Sequence, residues 1–112
     1  MKKGPTVYLR DVEESIESIE SYVKGKDREE FLSNKMLQDA VIRRIEIIGE
    51  AVKNLPDDFT KRHPEVHWSN IARTRDKLIH GYSTVDLNIA FDVVEDDLPA
   101  LRKQISKILK GL

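Results

Sequence analysis

The sequence predicts an all-α protein, an antiparallel bundle of four to five helices in one domain spanning residues 1–112, and three observations carry that reading. Hydrophobic residues make up 39% of the chain and charged residues 35%, with only five glycines and four prolines, a composition closer to amphipathic helices than to a β-sandwich. Apolar residues recur in steps of three and four over long stretches, the period that lines one face of a helix. The length of 112 residues is enough for one core and short of a second.

The first helix is expected to start after Pro5 with Thr6 as its N-cap. Leu9, Val12, Ile16, Ile19 and Val23 form its buried stripe, while Asp11, Glu13, Glu14, Glu17 and Glu20 form a solvated acidic surface, and Gly25 ends it. Asp27 followed by Glu30 resembles a capping box that opens a short second helix through Phe31 and Leu32, broken near Ser33 and Asn34. The third helix runs from about Lys35 to Leu55 on the stripe Leu37, Val41, Ile45, Ile48, Val52 and Leu55. A second apolar set, Met36, Ala40, Ile47 and Ala51, suggests cover on more than one side, either centrally in a bundle or at an oligomer interface. Arg43, Glu46 and Glu50 share a polar strip beside that second set, readable as a solvated edge with an Arg43–Glu46 pair or as the lining of a site. Gly49 next to them lets another backbone approach closely.

Pro56 closes this helix, and Asp57 and Asp58 open a turn or short helix through Phe59. His63-Pro-Glu-Val-His67 places two histidines four residues apart, but the proline between them argues for a loop, and no third metal ligand is evident. Trp68 and Ser69 start a fourth helix that buries Ile71, Ala72, Leu78 and Ile79. Gly81 ends it by taking the left-handed conformation. Ser83 and Asp86 resemble a capping box for a long last helix with the stripe Ile89 or Ala90, Val93 or Val94, Leu98, Leu101, Ile105, Ile108 and Leu112. Pro99 should kink that helix, because it removes the bond to the carbonyl of Glu95.

A formal net charge of −1 gives no global electrostatic instruction, so nucleic-acid binding would rest on a local patch. Lys61, Arg62, Arg73, Arg75 and Lys77, against only Glu65 and Asp76, supply one. The absence of cysteine excludes disulfides, thiolate nucleophiles and cysteine-bound zinc. No stretch approaches the roughly 18 apolar residues of a membrane span, and the basic N-terminus lacks the apolar run of a signal peptide, so a soluble cytoplasmic protein with no membrane partner is expected.

Chemistry concentrates between Arg73 and Tyr82. Arg75, His80 and Tyr82 offer a cation, a proton shuttle and a phenol, a set suited to a phosphate ester. On an unbroken helix His80 would point about 140° from Arg75 at about 100° per residue, so Gly81 must redirect the chain for the groups to meet. Metal-free RNA cleavage needs a base for the ribose 2′-hydroxyl and an acid for the leaving 5′-oxygen, and one histidine supplies a single proton carrier. Two chains related by a two-fold axis would supply both.

The segment Arg75-Asp-Lys-Leu-Ile-His80-Gly-Tyr82 resembles the Arg-x4-His-x-Tyr motif of HEPN-domain proteins, in particular their HepT-like branch, formerly DUF86. Arg44 to Pro56 resembles that branch's central helix, and His63 to Trp68 its lead-in to the motif helix, so the likeness covers essentially the whole chain. The resemblance implies a homodimeric HEPN-like bundle whose motifs line a shared cleft, acting as a metal-independent endoribonuclease and the toxin of a type VII-like toxin–antitoxin pair. It implies RNA as substrate, no cofactor or metal, and a small MNT-type nucleotidyltransferase antitoxin that transfers AMP to Tyr82. Under it, Arg75 stabilises phosphoryl charge, His80 carries protons and Tyr82 positions the phosphate, with Asp76, Arg73 and Glu50 in support. Asp76 departs from the asparagine that many members carry, and could orient Arg75 or His80. A non-catalytic nucleotide- or partner-binding module stays open as an alternative, as does a metal-dependent hydrolase using His63 and His67.

Overall fold

Proline has no backbone N–H to donate and suits the first turn of a helix, and Pro5 opens α1, Pro5–Val23. The computed structural model describes residues 4–78 and 86–112. Gly4 is the N-cap of α1, without a side-chain cap, which corrects the expectation that Thr6 caps it: Pro5 already tolerates the helical φ, so the cap falls two residues sooner. Leu9, Val12, Ile16 and Ile19 are fully buried. The chain then turns through Gly25 at φ 73°, the left-handed region that favours glycine.

The capping box is formed at α2, Arg28–Ser33: Asp27 accepts from the Glu30 N–H at 2.9 Å, and Glu30 accepts from the Asp27 N–H at 3.4 Å. Phe31 is buried and meets the Phe91 ring at 5.5 Å. Asn34 ends α2 and caps α3, Lys35–Lys53, by accepting from the Leu37 N–H. The expected stripe of α3 is in the core. The second apolar set divides, with Ala51 buried and Met36 84% exposed.

Helix α4, Asp57–Arg62, tucks Phe59 beneath the chain. Trp68 packs 6.3 Å from Phe59 and donates its indole N–H to the His63 carbonyl, pinning the loop that leads into α5, Trp68–Leu78. The expected helix end at Gly81 and the cap at Ser83 fall outside the described residues. Asp86 caps α6, Leu87–Asp92, by accepting from the Asn88 and Ile89 N–H groups.

Between α6 and α7, Leu98–Lys110, the helix widens into a π segment, Val93–Asp97, in which the Leu98 N–H bonds the Val93 carbonyl five residues back. The disturbance expected at Pro99 thus takes this form. Proline cannot bond the Glu95 carbonyl, and the wider turn upstream lets Val93 and Val94 both reach the core.

Helix α1 packs along α3, α3 under α5, and α1 against α7. Arg102 pairs with Glu17 and Glu20, and Ser106 donates to Glu13, so α1 and α7 run antiparallel. The described residues form an all-α bundle of four long helical stretches with two short helices, and none of their helices is long and apolar enough to cross a membrane.

Candidate active site

The crossing of α5 over α3 places the candidate residues. Gly49 is buried there, and a Cβ added to it would lie 2.7 Å from both Cβ and Cγ of Arg75. The expected close approach is therefore real, although the stem of Arg75 makes it rather than another backbone. Glycine at this one position lets the arginine cross α3 and turn its head outward.

That head is held by carboxylates. One terminal nitrogen of Arg75 is 3.0 Å from Glu50 Oε1, and the other is 3.1 Å from Asp76 Oδ1. Its Nε is buried and has no hydrogen-bond partner among the described residues. Asp76 Oδ1 is also 3.2 Å from Lys53 Nζ. Bonding to Lys53 and then to Arg75 holds the Asp76 carboxyl below its ordinary range. Lys53 is a member that sequence reasoning missed. Its signal was present, since Glu50 and Lys53 sit three apart on α3, but only the packing shows that α5 passes over that edge.

Glu50, Arg75 and Asp76 are thus brought together. Arg73 is not, because two residues along a helix is about 200° around it. It accepts no share of the carboxylate clamp, donates instead to Asn70 at 2.8 Å, and lines a groove on the other flank of α5 with Lys77. The expected basic patch is therefore split: Arg62 lies over the Phe59 ring, Arg75 turns to α3, and Arg73 and Lys77 face the groove. The Arg43–Glu46 pair forms at 3.5 Å. His63 faces Glu65 at 3.6 Å, and no group of three or more metal-ligating side chains occurs among the described residues. His80 and Tyr82 lie outside the described residues.

Two variants probe this arrangement. Gly49→Ala gains about 1 kcal/mol of helix propensity, yet the overpacking against Arg75 costs about 1–3 kcal/mol. A net loss of order 1 kcal/mol in denaturant unfolding is expected, with displacement of the guanidinium. The Asp76 clamp sets an acid limit. A carboxyl whose folded pKa is depressed contributes stability above its unfolded value, 3.8, and loses it as pH falls through the folded value. Melting temperatures of wild type and Asp76→Asn should therefore differ above about pH 4, wild type higher, and converge on further acidification.

The all-α bundle of the described residues is consistent with a HEPN-like domain. The family model described as "Ribonuclease HepT-like" matches residues 12–108, and the chain belongs to that family. It is 46% identical over 110 residues to "Probable ribonuclease HepT" of Thermococcus cleftensis, covering 98% of this chain and the full length of that protein. It is 42% identical over 108 residues to "Putative RNase TTE0752" of Caldanaerobacter subterraneus, covering 96% of each. It is 48% identical over 112 residues to "Gamma-glutamylcyclotransferase and putative RNase MJ0434" of Methanocaldococcus jannaschii, where it spans all of this chain and half the length of that relative. No solved structure matches the chain.

Proposed function

We propose that this protein is a metal-independent endoribonuclease whose active centre forms where two copies meet, and that it serves as the toxin of a toxin–antitoxin pair. The observation that carries the reading is the clamp on Arg75, a pre-oriented guanidinium at the head of the Arg-x4-His-x-Tyr motif in a HepT-like chain. The names borne by its relatives support RNA as the substrate.

In this mechanism one copy of His80 takes the 2′-hydroxyl proton, and the 2′-oxygen attacks phosphorus. The bond from phosphorus to the 5′-oxygen breaks as the second His80 protonates the leaving oxygen. Arg75 neutralises the charge that builds on the non-bridging oxygens, and Glu50 and Asp76 keep it aimed without spending reorganisation in the transition state. Tyr82 positions the phosphate, and AMP transfer to it by an MNT-type nucleotidyltransferase would block the site with bulk and negative charge.

The outer face of α3 supports pairing through a second copy. Met36, Ala40 and Ile47 fall within about 40° of one another at about 100° per residue, Met36 is 84% exposed, and Glu50 lies one turn beyond Ile47 beside Arg75. Ile47→Asp is expected to leave a folded monomer by size-exclusion chromatography with light scattering, and to lose cleavage with the dimer.

The reading is tested with purified protein, free of partner and treated with chelator. Cleavage of RNA is expected. Failure to cut while a nucleotidyltransferase partner is still bound would favour a non-catalytic module, and activity lost to chelator would favour a metal-dependent hydrolase.

A further inference from the structure

A concavity on the other flank of α5 is distinct from the Arg75 clamp. It is a groove of about 580 Å³ between α5 and the stretch from the π segment into α7, within the size range of small-ligand sites. Its floor is apolar, built on Ile45, Ile48, Ile71, Leu98 and Leu101. Its two walls carry opposite charge, with Arg73 and Lys77 on α5 and Asp96 and Asp97 at the end of the π segment. No ion pair joins these walls among the described residues, and all four charged residues line the one groove.

Two independent features favour an occupant with separated donor and anionic ends. Burial, then repulsion from Asp96 and Asp92, pushes the Asp97 carboxyl up, so a donor pair brought to this wall relieves a standing cost. Asp96 and Asp97 close the π segment and both line the groove, and such turns often mark functional sites.

We infer that this groove takes one guanine nucleotide of the RNA, with the base on the apolar floor, its donor edge on Asp96 or Asp97, and its phosphate toward Arg73 and Lys77. The inference rests on the ribonuclease reading for its source of ligand. Guanine is the base that fits, because its ring N1–H and exocyclic amine are adjacent donors that match the two oxygens of one carboxylate. Adenine and cytosine place an acceptor beside the amine, and uracil flanks its one donor with two acceptors. Lys77 and Arg73 sit four apart on α5 and can share a phosphate on one face. Arg73, which does not join the Arg75 clamp, thereby acquires a role as a phosphate contact.

Calorimetric titration of the full chain with guanosine, inosine and uridine 5′-monophosphates tests this directly. Inosine lacks only the exocyclic amine, so it should bind at least about 10-fold more weakly than guanosine monophosphate, within the discrimination a bidentate pair supplies. Uridine monophosphate should bind more weakly still. Asp96→Asn with Asp97→Asn should abolish the guanine preference, whereas Arg73→Gln with Lys77→Gln should weaken all three nucleotides and leave unphosphorylated guanosine unchanged. Circular dichroism melts establish that these surface variants are folded. Equal binding of the three nucleotides, or none, would overturn the inference. So would a change in association state or partner binding with the nucleotide titration untouched, since the groove would then be a protein contact. RNA cleavage is measured separately: loss of cleavage with the titration intact sinks the ribonuclease reading, and cleavage without base-selective binding sinks only the groove.

Discussion

Arg75→Gln is expected to lower RNA cleavage by about 10²–10³-fold, the usual loss when one pre-oriented donor to a developing oxyanion is removed, while leaving the fold in place. The side chain is 25% exposed and its carboxylate partners Glu50 and Asp76 are more than half exposed. Ion pairs of that exposure contribute about 0–1 kcal/mol each to stability, so the melting temperature should move by a few degrees at most. The catalytic loss is larger because the variant removes the cation and leaves Glu50 and Asp76 facing the phosphate. Arg75→Lys separates charge from geometry. An ammonium keeps the charge but cannot present two nitrogens to two carboxylates in one plane, so its activity should fall between wild type and Arg75→Gln. Initial rates on a fluorogenic oligoribonucleotide measure all three. Arg75→Gln within 10-fold of wild type would contradict the role assigned to the clamp.

His80→Ala is expected to remove cleavage entirely and, in cells, growth arrest with it. A positioned general acid or base contributes about 10²–10⁴-fold. Where two copies of one histidine serve as both, a single substitution removes both contributions at once. The variant should retain the helical circular dichroism and the association state of wild type, with the described core, Leu78 at 0% exposure included, in place. Cleavage retained by His80→Ala would show that another group moves the protons.

Much of this was legible in the sequence because helices write their buried faces into a regular period. The stripe of α3, the reciprocal Asp27–Glu30 cap and the close approach at Gly49 all followed from spacing and residue type. What escaped reading depends on neighbours. Periodicity shows that Glu50 and Lys53 share an edge of α3, but not that α5 crosses that edge and hands Asp76 to both Lys53 and Arg75. Composition gathered Arg73, Arg75 and Lys77 into one patch, whereas the helical turn separates Arg75 from the other two and gives them to a groove. The start of α1 at Pro5 and the π turn before Pro99 share a cause: the backbone takes each proline into the helix, by capping two residues sooner than expected and by widening a turn.

The clamp and the groove lie on opposite flanks of α5. One flank holds a guanidinium aimed by carboxylates, and the other carries cations opposite an acidic wall. A helix that crosses its neighbour over a glycine can serve both flanks, because the crossing leaves each side open.

Cleavage of RNA by transesterification without metal, as proposed for this protein, is tested most directly by the chemistry of the product ends. RNA incubated in chelator with purified, partner-free protein, and analysed by mass spectrometry, should carry 2′,3′-cyclic phosphate and 5′-hydroxyl ends. A single 2′-deoxy substitution at the cut position should abolish cleavage there. Products with 5′-phosphate ends, cleavage that survives the 2′-deoxy substitution, or no cleavage at all would contradict it.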